Sequence, residues 1–245
     1  ASALKPMQDE YIKKETISQV LSAAAQADDS MSVGEDVMAM YAEQAVDAFY
    51  VNGKGVVGAH MNTGKDNIAD IKVESTSYLK SQNDIIKKIE AGQTELLESL
   101  SLPVYVINVN GQKVTVIPCY GAGLWGPIWG YVALGEDLQT IRGAYFDHAS
   151  ETPGLGAKIK DDPSFRAEFE GKKIDFNSEE AFSVVKGGVP AGVENAVDAI
   201  SGASITSQCL GTSLNNWILA YKPFLRSASA YTEPAEVEEV ADSLS

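Results

Sequence analysis

The chain has 245 residues, 44% of them hydrophobic and 22% charged, which is ordinary for a folded protein long enough to bury a core. Its formal net charge of −15 excludes DNA and RNA as partners, because nucleic-acid binders need a basic footprint to displace counterions. An anionic ligand would have to be gripped locally, by backbone N–H groups and a few lysines, against that field.

In chain order, Ile12, Thr16, Ile17, Val20, Leu21 and Ala24 share one face at helical spacing, which predicts an amphipathic N-terminal helix over 7–26. Ser32 followed three residues later by Glu35 has the pattern of a capping box. Val37, Met40, Tyr41, Ala45, Ala48 and Phe49 then predict a second helix, ending towards the Gly53 and Gly55 turn. A third helix, interrupted at Gly92, is predicted over 81–100, with Asn83 or Asp84 near its start. Asn110-Gly111 between two β-branched runs predicts a hairpin, because a type I′ turn needs positive φ at both central residues. The runs 128–135 and 138–146 read as further strands, 162–171 as a short helix, and 173–176 and 182–188 as strand-like. The last helix, 204–221, is expected to stop before Pro223.

Helices, then a sheet, then mixed elements give an α+β fold, a mainly antiparallel twisted sheet packed with helices. One domain is expected over 1–226, followed by an acidic flexible tail over 227–245 that carries Glu233, Glu236, Glu238, Glu239 and Asp242. No run approaches the ~18–20 apolar residues needed to cross a bilayer. The first ten residues lack the charged and apolar regions of a signal peptide. With Cys119, Cys209, His60 and His148 as the whole cysteine and histidine set, no metal-ligand spacing appears, and each cysteine reads as a small hydrophobe.

Three stretches carry chemistry. Residues 121–126, Gly-Ala-Gly-Leu-Trp-Gly, match the dinucleotide fingerprint letter for letter, but Pro127 and a β-type run follow where that motif must open a helix. Taken alone they read as a glycine-rich turn with Trp125 and Trp129 in the core. Residues 151–156, Glu-Thr-Pro-Gly-Leu-Gly, read as a tight loop made by one proline and two glycines. Residues 201–206, Ser-Gly-Ala-Ser-Ile-Thr, place three hydroxyls and a glycine just ahead of the last helix, where Ser201 is the expected cap and an anion would be favoured.

In this order, Gly123–Leu134, Glu151–Gly156 and Asp198–Ser207 resemble the FMN-binding domain of the NqrC family, a component of the Na+-translocating NADH:quinone oxidoreductase. The resemblance implies an electron-transfer subunit with no turnover of its own, carrying FMN through a phosphoester made by a flavin transferase. In the family pattern Ser-Gly-Ala-Thr-x-Thr the last threonine is taken as the acceptor, which implies Thr206; Ser204 stands where the family has its first threonine. The resemblance also places Ser201, Gly202, Ala203 and Ile205 around the phosphate, and Glu151, Thr152, Gly154, Leu155, Leu124 and Trp125 against the ring. Lys186 follows as a further phosphate or ring partner, against a bland reading as a surface lysine.

The resemblance further implies partner subunits, the periplasmic side of the cell inner membrane, and an N-terminal membrane helix ahead of Leu4-Lys5-Pro6 that this sequence does not contain. Two other readings stay open. One is the RnfG family of the Rnf ferredoxin:NAD+ oxidoreductase, which normally lacks the tryptophan segment Leu124–Tyr131. The other is a non-redox binding or structural module at the membrane surface, with an ordinary helix start.

Overall fold

The structure is a computed structural model and describes residues 4–229. At its centre is a six-stranded, wholly antiparallel sheet of order β2-β1-β3-β4-β5-β6. The strands are β1 (Ala45–Val51), β2 (Val57–His60), β3 (Leu102–Val109), β4 (Gln112–Ala122), β5 (Pro127–Leu134) and β6 (Ile141–His148). The hairpin expected at Asn110-Gly111 joins β3 and β4, with φ of 49° and 88° at those two residues. The central strands are buried on both faces, which explains their nearly continuous apolar runs. Tyr105, Ile107, Val116, Tyr131 and Ala133 face one core, while Val104, Ile117, Cys119, Val132 and Leu134 face the other.

Helices α1 (Leu4–Ala25) and α2 (Val37–Gln44) cover the first face. Ile17, Val20, Leu21 and Ala24 of α1 are fully buried, but Ile12 is 41% exposed, so the expected stripe packs only along the second half of the helix. The cap of α2 is Asp36, whose carboxylate accepts from Ala39 N at 3.1 Å, and not Ser32. The second helix is also shorter than its apolar spacing predicts. Ala45, Ala48, Phe49 and Val51 fit a helical or a strand period, and pairing with β3 decides for the strand.

The other face is covered by α3 (Thr76–Glu90) and α6 (Ser204–Ser229). Helix α3 begins earlier than expected, at a Ser75 cap, and ends at Gly92, whose φ is 104°; Thr94–Ser99 follow as a 3-10 turn. Helix α6 does not stop before Pro223. Burying Phe224 and Leu225 beyond it contributes about 1.5–3 kcal/mol each, which offsets a proline cost of roughly 3 kcal/mol. Residues 227–229, the start of the tail expected over 227–245, therefore continue the helix instead, and residues 230–245 lie outside the described residues.

Between β6 and α6 come α4 (Lys158–Asp161), α5 (Pro163–Ala167) and a parallel pair, β7 (Ser183–Val185) and β8 (Ala196–Asp198). The strand expected at 173–176 is reduced to one bridge, Thr140 to Lys173. No described helix is long and apolar enough to cross a membrane.

A buried cluster ties α1 to the far edge of the sheet. Asp147, 3% exposed, accepts from Gln19 Nε2 at 3.0 Å and from Lys160 Nζ at 3.0 Å, and Trp129 Nε1 donates to Gln19 Oε1 at 3.0 Å. Cys119 and Cys209 are both free thiols. Burial pushes the Cys119 thiol up to about 12, and burial together with the Glu151 carboxylate raises that of Cys209. At pH 8 the native protein is therefore expected to react with a disulfide reagent only slowly, with both thiols appearing within seconds in guanidinium; rapid release of two native thiols would contradict this burial.

Candidate functional site

The three glycine-bearing stretches, far apart in sequence, converge on one cavity of about 410 Å³, within the size range of cofactor sites. The first is the turn from β4 into β5. Gly123 N donates to Gly126 O at 2.7 Å, and Pro127 opens the next strand, in keeping with the sequence argument against a dinucleotide fold. This turn carries Leu124 and Trp125 to the cavity wall at 45% and 65% exposure. Trp125 is therefore not a core residue, while Trp129 is half-buried against Gln19.

The second stretch closes on itself, with Leu155 N and Ala157 N both donating to Thr152 O at 3.1 Å. Glu151, Thr152, Leu155 and Gly156 line the cavity from this side. The third is the entry to α6. Gly202 has φ of 80°, Ala203 N donates to Ile200 O at 3.0 Å, and Ser207 Oγ receives Ile200 N at 3.0 Å. Gly202, Ala203, Ser204, Ile205 and Thr206 all face the cavity.

Glu151 is the charged centre of the site. It is 4% exposed; its Oε2 accepts from Thr206 Oγ1 at 2.7 Å and its Oε1 accepts from Trp125 N at 2.9 Å. Its own N–H donates to His148 Nδ1 at 3.1 Å. No described lysine or arginine forms an ion pair with it. What compensates the charge is hydrogen bonding and the positive end of α6.

Three expected site residues do not line this cavity. Lys186 is exposed beyond β7, Gly154 is exposed with φ of 71° and serves its turn, and Ser201 is exposed in the turn before α6. Because α6 begins at Ser204, the cap position falls on Ala203 and the expected capping role of Ser201 is not realised. Three residues that matter stand outside the set assigned to the phosphate and the ring: Gly123, Gly156 and His148. A Cβ on Gly156 would stand 2.4 Å from Glu151 Oε2 and 2.7 Å from Thr206 Oγ1, and one on Gly123 would stand 2.4 Å from Glu151 Oε1. The glycines are the available signal, but their reason is the carboxylate between them.

The site suits a flavin nucleotide. The first-turn N–H groups of α6 have no acceptor within the helix, so the helix start offers donors to a phosphate. Leu124, Trp125, Leu155 and Ile205, between 45% and 65% exposed, form an uncovered apolar rim of the kind a flat ring would cover.

Comparison with known proteins agrees. The FMN-binding domain family matches residues 123–219. The NqrC component of the Na+-translocating NADH-quinone reductase from Vibrio anguillarum is 33% identical over 181 residues, covering 72% of this chain and 65% of that protein. Its counterpart from Vibrio parahaemolyticus is 37% identical over 166 residues, covering 66% and 58%. The chain thus spans roughly three-fifths of these relatives. The crystal structure of the corresponding protein from Parabacteroides distasonis aligns at a TM-score of 0.69 and 32% identity, covering 95% of this chain and 98% of that one. NqrC from Shewanella oneidensis aligns at 0.63 and 25% identity, covering 89% and 98%. With its antiparallel sheet and its FMN-binding domain, the chain therefore belongs to the NqrC family of the Na+-translocating NADH-quinone reductases.

Proposed function

We propose that this chain is an electron-transfer subunit of a Na+-translocating NADH:quinone oxidoreductase and carries FMN in the cavity between Trp125, Glu151 and the start of α6. The observation that carries this reading is the convergence of the three stretches on one apolar-rimmed cavity at a helix N-terminus. Bound there, the flavin supplies the redox chemistry. The chain supplies the N–H groups that receive the phosphate and the rim that shields one side of the ring. A phosphodiester carries one negative charge where free FMN carries nearly two, which eases placement in an acidic protein.

The phosphoester falls on Thr206, the acceptor that the resemblance implies, which lines the cavity in the first turn of α6. Thr206 is 2% exposed and its hydroxyl is held by Glu151. Ser204, half-buried on the same wall and without a hydrogen-bond partner among the described residues, is the other hydroxyl at the helix start. Ser207 is fully buried and closes the turn.

Partner subunits, a flavin transferase during maturation, an N-terminal membrane anchor and a periplasmic position of this domain complete the reading. The test is colour. Protein co-expressed with a flavin transferase should stay yellow through denaturation and gel filtration, gaining the mass of FMN less one water. Colourless protein of unmodified mass would overturn it. With flavin loaded, Trp125→Leu should raise flavin emission severalfold by removing a quencher, whereas unchanged emission would place the indole away from the ring.

A further inference from the structure

We infer that Glu151 is a positioning residue, a clasp that assembles the cavity by joining all three of its walls through one carboxylate. The inference rests on the site reading above but not on the attachment chemistry. One oxygen holds the β4–β5 turn through Trp125 N–H, the other holds α6 through Thr206, and the residue's own N–H is fixed by His148 at the end of β6. Both oxygens face the chain at distances that leave room only for glycine at 123 and 156. The carboxylate is thus committed to the protein on both sides, and the ring is left to the apolar rim.

This role depends on two hydrogen-bonding atoms in fixed positions rather than on negative charge. A glutamine can reproduce it: its carbonyl accepts from Trp125 N–H, and its amide donates to Thr206 Oγ1, whose hydroxyl can turn and accept. An alanine cannot, and it leaves a buried backbone N–H and a hydroxyl without partners.

Amide hydrogen exchange in the flavin-free full chain tests the clasp directly. In E151A the Trp125 amide should exchange at least ~100-fold faster while Val132 in the middle of β5 keeps its protection, so that local opening is separated from global instability. In E151Q the Trp125 amide should stay within ~5-fold of wild type. Co-expressed with a flavin transferase, E151A should carry about a tenth of the wild-type covalent flavin and E151Q at least half. A second arm uses Gly156→Ala, which should lower the melting temperature in wild type and be relieved in E151A.

Unchanged Trp125 exchange in E151A, or additive effects of the two substitutions, would overturn the clasp. Loss of covalent flavin in E151Q with exchange intact would also overturn it, and would make the carboxylate a proton acceptor instead. Wild-type protein that takes up no flavin would defeat the proposed function while leaving the exchange result to decide this inference by itself.

Discussion

Ser204→Ala is expected to keep most of the covalent flavin, with a melting temperature within about 2 °C of wild type, whereas Thr206→Ala should carry none. The Ser204 side chain sits at the first position of α6, half-buried, with no hydrogen-bond partner to lose among the described residues, and alanine is favoured over serine in a helix. Thr206→Ala behaves differently from what the sequence suggests. A first-turn threonine read alone predicts a mild gain in helix stability, but here its loss leaves a buried Glu151 oxygen unpaired, at a cost of about 1–3 kcal/mol. It should melt several degrees lower and carry no covalent flavin. Peptide mass mapping decides between the two hydroxyls: flavin absent from Ser204→Ala and persisting in Thr206→Ala would move the bond to Ser204.

The largest loss of stability is expected at the middle of the same helix. Trp217 is fully buried, its indole N–H donates to Asn83 Oδ1 at 3.0 Å, and its ring lies 6.4 Å from that of Tyr221. Truncation to alanine opens a cavity and leaves the buried Asn83 carboxamide without its donor, so Trp217→Ala should cost about 4 kcal/mol or more. The urea midpoint should fall accordingly with little change in slope. Trp217→Phe keeps most of the volume and should cost about half as much. A loss below ~1.5 kcal/mol for the alanine variant would mean that α3 and α6 are not joined through this pair.

The parts of the fold that are legible in the sequence are those where one period has no competitor. Strands β3 to β6 show themselves by β-branched runs and the Asn-Gly turn. Strand β1 does not, because its apolar positions fit two periods and only the partner β3 selects one. Strand β2 is exposed along its whole length and has no apolar pattern to read. The end of α6 is misjudged when the local cost at Pro223 is weighed without the burial of Phe224 and Leu225, which is tertiary.

The site divides in the same way. Each glycine stretch alone has an ordinary explanation, and it is their joint resemblance to one family that puts them together. Lys186 does not line the cavity, but its neighbour Val185 accepts from Ala199 N at 2.8 Å, beside the segment that leads into α6. The Glu151–Thr206 contact spans 55 positions and has no local signature.

The two margins of the central sheet have a consequence for how copies of this protein behave at high concentration. An open margin of unpaired backbone groups is a template onto which another chain can add. Here β2 is only four residues long, its pairing shifts register between Phe49 and Val51, and it ends at a hydrogen-bonded polar pair, His60 with Asp47 at 2.8 Å. At the opposite margin, Ile141 exchanges backbone bonds with residues 171 and 172, which shields the start of β6. Sheet-to-sheet stacking into fibres is therefore disfavoured at both ends, and the net charge of −15 adds mutual repulsion in dilute salt.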